Sequence, residues 1–599
     1  MWAASMRLTR LYSNKPELFT PIHFRAGLNL VVAEIRIPRN RDLDTHNLGK
    51  STLGNLIDFM LLKGNTSKFF LFAHSDIFED FVFYLEIELN NGRFITIRRT
   101  VKPKTKVSFV RSEKSIEDAN VLSSCDWDHY EVAFKRAKIL LDGYLDFESF
   151  DPGEFRKLTG YLLRSQRDYS DVFQLAKLSG KHRDWKPFVA KLLGLSSGAV
   201  ADLYTRRAEL EETTTRRETL AGEWCEDVSD SSTLDGLISV KKRDIEERVR
   251  SLDSLDLGSN DDRVSEDVVE KLEVSVSQLN EERYRLQQKL KRIAESLEQE
   301  QILFRPRDAE RLFKESGVLL GDQIKKTYDQ LIEFNRQITE ERRQALEVQA
   351  YEAKDRITSI DKELKSLNIK LSDSLSYLRE SEALKKFRKL SDEIMHLKSE
   401  LLHLEHRREA TGRLVDLRRK ERTLKEAVGR AVDEVQQEIE TVSGDEMSMF
   451  GRVRYYFSSI IHEVLGQDAI LTVKVNNSSG IDFDAQFIDE SGLATSEDSG
   501  NSYRKLMCIA FDLAILRAHL NEPFARFVYH DGAFEQLDKR KQEKLLGVFR
   551  EYASLGLQPI ATALDSDLEF ANRPSWTNDV ALWLHDEGAA GRLFKTTSW

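Results

Sequence analysis

The apolar run Leu28–Ala33 (LNLVVA), followed after a loop by His46–Leu61 (HNLGKSTLGNLIDFML), decides how the rest of the chain is read. The first segment has the composition of a buried strand, and the second opens on a glycine-lysine turn and continues with helical spacing of apolar residues. A helix that starts at such a turn points backbone amides and the positive end of its dipole at any phosphate placed before it. In that setting Lys50 neutralises phosphate charge and Ser51 can ligate magnesium, as in the second half of the pattern GxxxxGK[ST]. His46, Asn47, Gly49, Lys50, Ser51 and Thr52 are therefore the candidate nucleotide-binding residues, with ATP and Mg2+ as the expected cofactors. Asp44 stands where the first glycine of the pattern belongs.

Outward from this stretch, the 599-residue chain is too long for one ordinary core, so more than one structural unit is expected. Charged residues make up 32 % and prolines number ten, which suits long solvated helices beside a globular part. The net charge of −11 excludes a protein that coats nucleic acid wholesale, and leaves room only for a local basic patch. Such a patch is offered by Arg98, Arg99, Lys102, Lys104 and Lys106, which are candidate DNA contacts; a solvated hairpin face is the competing reading. The three cysteines are scattered and never form CxxC, so neither a disulfide framework nor a cysteine zinc site is expected. No run of about 18 apolar residues occurs, and the N-terminal MWAASMRLTR lacks the apolar core of a secretory signal. A soluble, cytoplasmic chain without a membrane partner follows as the expectation.

The pattern along the chain divides it into five. Residues 1–197 mix short strands with turns, including a hairpin from Phe83 to Arg99 around Asn90-Asn91-Gly92. Heptads then take over: Leu272, Leu279, Leu286 and Ile293 form one seam, and Ile357, Ile360, Leu364, Leu367 and Leu371 a second. A third seam runs from Phe387 to Leu404 after a phase break near 379–386. Residues 198–304 read as an ascending coiled-coil arm, interrupted near 226 and 255, and 325–444 as a descending arm. Between them, 305–324 carries Pro306, Gly317 and Gly321, which break a helix and suit an apex. Each arm reaches at most roughly 150 Å at about 1.5 Å per residue. From 445 to 599 strands and amphipathic helices return.

In this last part Phe527-Val528-Tyr529-His530-Asp531 is an apolar strand that ends on a carboxylate suited to a metal or its water. The segment Asp531 to Asp538 (DGAFEQLD) resembles the Walker B and D-loop pattern DExxxxLD of ABC ATPases. It keeps Asp531, Leu537 and Asp538, but Gly532 occupies the position of the usual water-polarising glutamate, so Glu535 is the candidate substitute base. Ser499, Gly500, Asn501 and Ser502, which precede a helix, lie where the ABC signature is found. There they would touch nucleotide on a second copy of the chain, making ATP the glue of a head–head dimer. Gln166 is a Q-loop candidate, and Thr562 lies where a switch histidine is usual.

A GKST loop near the start, heptads in the middle, and signature, Walker B and D-loop elements near the end together resemble the SMC, RecN and RecF group of ABC ATPases. The resemblance implies an α/β ATPase head split between the N- and C-terminal segments, with a long antiparallel coiled coil inserted. In loops of this type glycine is usual at the position of Asn47. The stretch Glu310–Leu346, the HNLGKST loop, the helix FDLAIL and the His-Asp-Gly end of the Walker B strand are similar to an uncharacterised-domain family. Its members supply the ATPase of bacterial three-component, Lamassu-like defence systems. That likeness implies DNA sensing, with a small accessory subunit and an effector such as a nuclease as partners. Zinc-hook repair ATPases carry CxxC at the coil apex, and this chain has no cysteine there. A housekeeping repair ATPase and a coiled-coil scaffold without nucleotide function are the competing readings.

Overall fold

The computed structural model describes residues 6–37, 48–147, 150, 153–178, 180–224, 231–254, 263–298, 322–374, 382–489, 501–568 and 576–596. Two compact units result, Met1–Glu212 with Arg422–Trp599, and Thr213–Glu421. Among the described residues no helix is long and apolar enough to cross a membrane.

The first unit is built on a five-stranded parallel sheet to which both ends of the chain contribute. Its order is Val580–His585, Asn29–Glu34, Gln558–Leu564, Phe527–His530 and Leu163–Arg164. Every neighbouring pair is parallel, and the inner strands are almost entirely buried, as expected of a sheet covered on both faces. A second, six-stranded antiparallel sheet runs Ile22–His23, Arg7–Ser13, Val82–Glu88, Phe94–Thr100, Lys106–Ser112 and His129–Ala133. The hairpin read around Asn91-Gly92 forms here: Val82–Glu88 pairs with Phe94–Thr100, and Gly92 takes φ 78°, which a side chain would resist.

A buried glutamine joins the two sheets. The Gln558 side chain accepts from the Leu8 amide at 2.9 Å and donates to the Leu8 and Arg25 carbonyls at 2.8 and 2.7 Å. Elsewhere in this unit Phe19, Phe59, Phe78, Phe81, Phe83 and Phe594 pack against one another, with centroids 5.0–6.3 Å apart in the contacting pairs. Each fully buried ring contributes on the order of 1.5–3 kcal/mol relative to exposure, so Phe19 and Phe594, 575 positions apart, tie the termini into one core.

The second unit is helical. Charged pairs join Ser231–Asp253 to Glu382–Gly444 with residue numbers running in opposite directions: Asp235 with Arg408, Lys241 with Glu400, and Arg248 with Glu393. Arg263–Glu298 and Asp322–Ser374 also pair antiparallel. Val276 packs with Ile360 and Leu364, and further along Glu282 binds Arg356. The heptad seams thus bury one another. One expectation changes, because Met395 packs onto the Val276–Ile360 cluster and the Tyr284 ring meets His403 at 5.7 Å. All four helices therefore lie side by side instead of forming only one ascending and one descending arm. The apex expected at 305–324 falls almost wholly outside the described residues.

Candidate functional site

The helix Lys50–Met60 begins at Gly49, whose φ of 107° is open to glycine; a Cβ there would lie 2.7 Å from that of Leu593. Two contacts press the start of this helix onto the parallel sheet. The Tyr529 hydroxyl donates to the Lys50 carbonyl at 2.7 Å, and the Tyr529 ring lies where a Cβ on Gly54 would stand, 2.6 Å away. Gly54 is thus required by close helix–strand approach.

Across from this helix start lies the end of the strand Phe527–His530. Ser51 donates from Oγ to Asp531 Oδ2 at 2.6 Å, and Thr562 on the adjacent strand donates from Oγ1 to Asp531 Oδ1 at 3.0 Å. The Gly532 amide in turn donates to Thr562 Oγ1 at 2.7 Å. Burial pushes the Asp531 carboxyl above its usual range, and the Ser51 and Thr562 hydrogen bonds oppose that rise. Lys50 is 4 % exposed, and its Nζ reaches Glu535 Oε1 at 3.3 Å. Gln166 Nε2 donates to the other oxygen of the same carboxylate at 3.0 Å. Lys50, Ser51 and Gln166 from the first third of the chain and Asp531 and Glu535 from its end are therefore brought together. Three of them, Ser51, Gln166 and Asp531, line a cleft of about 560 Å³ together with Asp58, Arg167 and Lys177.

Other candidate residues fall elsewhere. Thr52 is half-buried in the first turn of the Lys50–Met60 helix. Asp538 caps the helix Lys539–Ser554, accepting from the Arg540 and Lys541 amides at 3.1 Å each. Ser502 donates from Oγ to the Gln536 carbonyl at 3.0 Å, which ties the helix Asn501–Ala518 to the segment after Asp531. His46, Asn47, Ser499 and Gly500 lie outside the described residues, as does the Asn501 side chain.

The basic stretch needs correction at one position. Arg99 is wholly buried: it donates to the Phe59 and Lys63 carbonyls and to Asn65, with its guanidinium stacked 3.8 Å over the Phe59 ring. It is a core residue and not a surface contact for DNA. Arg98 lies over Tyr130 and near Glu131, and Lys102 pairs with Glu79 at 2.8 Å. Lys104 is exposed and Lys106 half-buried.

Two groups escaped sequence reasoning. Lys505 donates from Nζ to the Gly532 and Glu535 carbonyls at 2.9 Å each, fixing the turn that carries Glu535. A lysine beside the long apolar run of its helix, Leu506–Phe511, was the only signal for it. Arg164 grips buried Asp512 with two bonds of 2.7 and 2.8 Å, and His530 Nε2 lies 3.1 Å from the same carboxylate. Burial pulls the Arg164 guanidinium down, and Asp512 more than reverses this; burial holds the His530 imidazole below its usual range. This cluster anchors the residues immediately before Gln166 and Asp531.

Residues 459–598 match a family model described as an uncharacterised protein conserved in bacteria, DUF2326. No curated protein matches the chain in sequence. Among solved structures, the chain is similar to an Smc head domain with a coiled coil and joint from Pyrococcus yayanosii. The identity is 14 %, over 95 % of this chain and 94 % of that one, with a TM-score of 0.35. It is also similar to an Smc head domain with an extended coiled coil bound to the C-terminal domain of ScpA from Pyrococcus furiosus. There the identity is 12 %, over 94 % and 91 % of the two chains, with a TM-score of 0.29.

Proposed function

We propose that the chain is an ATP-binding, SMC-like protein whose split ABC-type head acts as a nucleotide-gated switch with slow hydrolysis. The observation that carries this reading is that Lys50, Ser51 and Gln166 meet Asp531 and Glu535 in side-chain contacts from opposite ends of the sequence, beside a cleft lined by Ser51, Gln166 and Asp531. The donor set fits its ligands. First-turn amides after Gly49 lack intrahelical acceptors and face the phosphate position, and Lys50 already holds an anionic group there, the Glu535 carboxylate. Ser51 and Asp531, in mutual contact at 2.6 Å, are the hydroxyl and carboxylate that would hold magnesium or its water. Bound there, magnesium would offset charge on the phosphate oxygens. Gln166 lines the cleft and holds Glu535 at 3.0 Å, and in this reading Glu535 is the side chain that would orient and deprotonate an attacking water. Its engagement by Lys50 keeps it from that task until the lysine turns to phosphate.

In the same reading ATP joins two heads through the 499–502 segment, and the chain senses DNA and controls an effector in bacterial defence. The likeness to Lamassu-type ATPases supports that extension. Nucleotide titration of the full chain in magnesium tests the core of it: saturable ATP binding that is lost in Lys50→Ala is expected, and binding indifferent to that change would overturn it. One observation favours a scaffold without nucleotide function, namely that Lys50 is buried and paired with Glu535. Undetectable ATP binding by the unaltered chain would select the scaffold.

A further inference from the structure

The hairpin read as basic is largely neutralised in the folded chain, where Arg93 pairs with Glu113, Lys102 with Glu79 and Arg111 with Asp128. Two of its lysines, Lys104 and Lys106, lie instead beside three further cations at one end of the antiparallel sheet. Lys106 is the ladder partner of Ala133, and the chain passes from Ala133 directly into the helix Phe134–Leu145, which opens Phe134-Lys135-Arg136-Ala137-Lys138. Lys138 stands 5.0 Å from the Phe134 ring centroid, and buried Arg99 covers the same ring at 4.8 Å. Asn65 links this corner to the preceding turn, since it accepts from Arg99 and donates to the Lys104 carbonyl. Lys104, Lys135 and Arg136 are exposed, and Lys106 and Lys138 half-buried. Among the described residues none of these five cations has a carboxylate within ion-pairing distance, although acids outnumber bases in the chain by 101 to 90.

Like charges left together without counter-charge repel one another, and a polyanion relieves that repulsion while releasing its own condensed counterions. We propose that Lys104, Lys106, Lys135, Arg136 and Lys138 form a docking surface for the phosphate backbone of duplex DNA. Contacts to phosphate fix position on the duplex and carry no sequence information, so the docking is independent of sequence. The inference rests on the reading that the chain binds DNA, and it assigns where.

The test measures binding of the full chain to a short fluorescent duplex across a salt series. It compares the unaltered chain with Lys104→Gln/Lys135→Gln/Arg136→Gln, and with Lys102→Gln as control. All altered positions are exposed, and circular dichroism checks that the fold persists. The triple variant is expected to bind about tenfold or more weakly at moderate salt. Its slope of log K against log salt should shrink by about 2–3, near 0.9 per lost phosphate contact, with Lys102→Gln unchanged. Equal slopes for the triple variant and the unaltered chain would overturn the assignment while leaving DNA binding intact. No binding by the unaltered chain would overturn the DNA reading itself. Preference for polyglutamate over duplex would show an acidic-protein surface instead, and would likewise sink the proposal.

Discussion

The carboxylate of Glu535 fills the space that a side chain at position 532 would need. Gly532 has φ 66°, and a Cβ built on it would lie 2.8 Å from Glu535 Cδ and 3.0 Å from Gln166 Nε2. The missing glutamate and the present one are therefore alternatives for one volume. Restoring the usual residue with Gly532→Glu should destabilise the chain by about 1–3 kcal/mol, from the left-handed backbone and the crowding together. ATP turnover should not rise. Thermal melts of Gly532→Glu, Glu535→Ala and the double variant check this, because removing Glu535 should relieve part of the cost and make the two changes non-additive.

Glu535 also holds Lys50, at 3.3 Å with Lys50 nearly buried. In Glu535→Gln the lysine no longer faces a charged competitor for phosphate. ATP should bind more tightly by about 1 kcal/mol, or roughly fivefold, while the hydrolysis rate falls. Equilibrium titration with ATP and a single-turnover assay read the two effects separately; unchanged hydrolysis would remove Glu535 from the role of base.

How much of this was legible follows from the range of each interaction. Lys50 and Ser51 sit in a turn whose spacing is fixed by local geometry, and Asp531 and Asp538 keep a spacing of their own, so motif and periodicity find them. Strand alternation carried a signal about Arg99 as well, because it shares a face with Ile95 and Ile97, both fully buried. The Arg164–Asp512–His530 cluster left none. Its members are single polar residues separated by up to 366 positions, and they meet only because the Leu163–Arg164 strand is laid beside Phe527–His530. Likewise the heptads announced apolar seams but not that the paired helices would associate laterally, since a seam specifies its own face and not the count of helices around it.

The raised pKa of Asp531 sets a pH dependence with a definite sign. Its folded value lies above the unfolded one, chiefly through burial. Stability contributed at this position is therefore highest at low pH and falls as pH climbs from the unfolded to the folded value. At neutral pH the buried charge is a standing cost in the nucleotide-free chain. Asp531→Asn should accordingly raise the melting temperature at pH 7, and this gain should vanish as pH drops below the unfolded carboxylate value. Melting across that range, without nucleotide or magnesium, measures it.

Asp512 is the counter-charge of Arg164, and both are buried with 1 % or less of their side chains exposed. Arg164 also donates to the carbonyls of Asp168, Asp171 and Val172, so it cannot swing to solvent without dismantling the segment around Gln166. Asp512→Ala leaves that buried guanidinium with carbonyl partners but no counter-charge, and removes the partner of His530. The expected cost is about 3–5 kcal/mol, the range for breaking one side of a buried pair. Urea denaturation followed by fluorescence should show the midpoint falling, and nucleotide affinity should drop with it because Gln166 lies two residues after Arg164 and Asp531 one after His530. Asp512→Glu, which keeps the charge, should recover part of both. If affinity were lost in Asp512→Ala without any loss of stability, the cluster would instead be acting on the site alone, and the carbonyl cage around Arg164 would have to be sufficient to hold the fold.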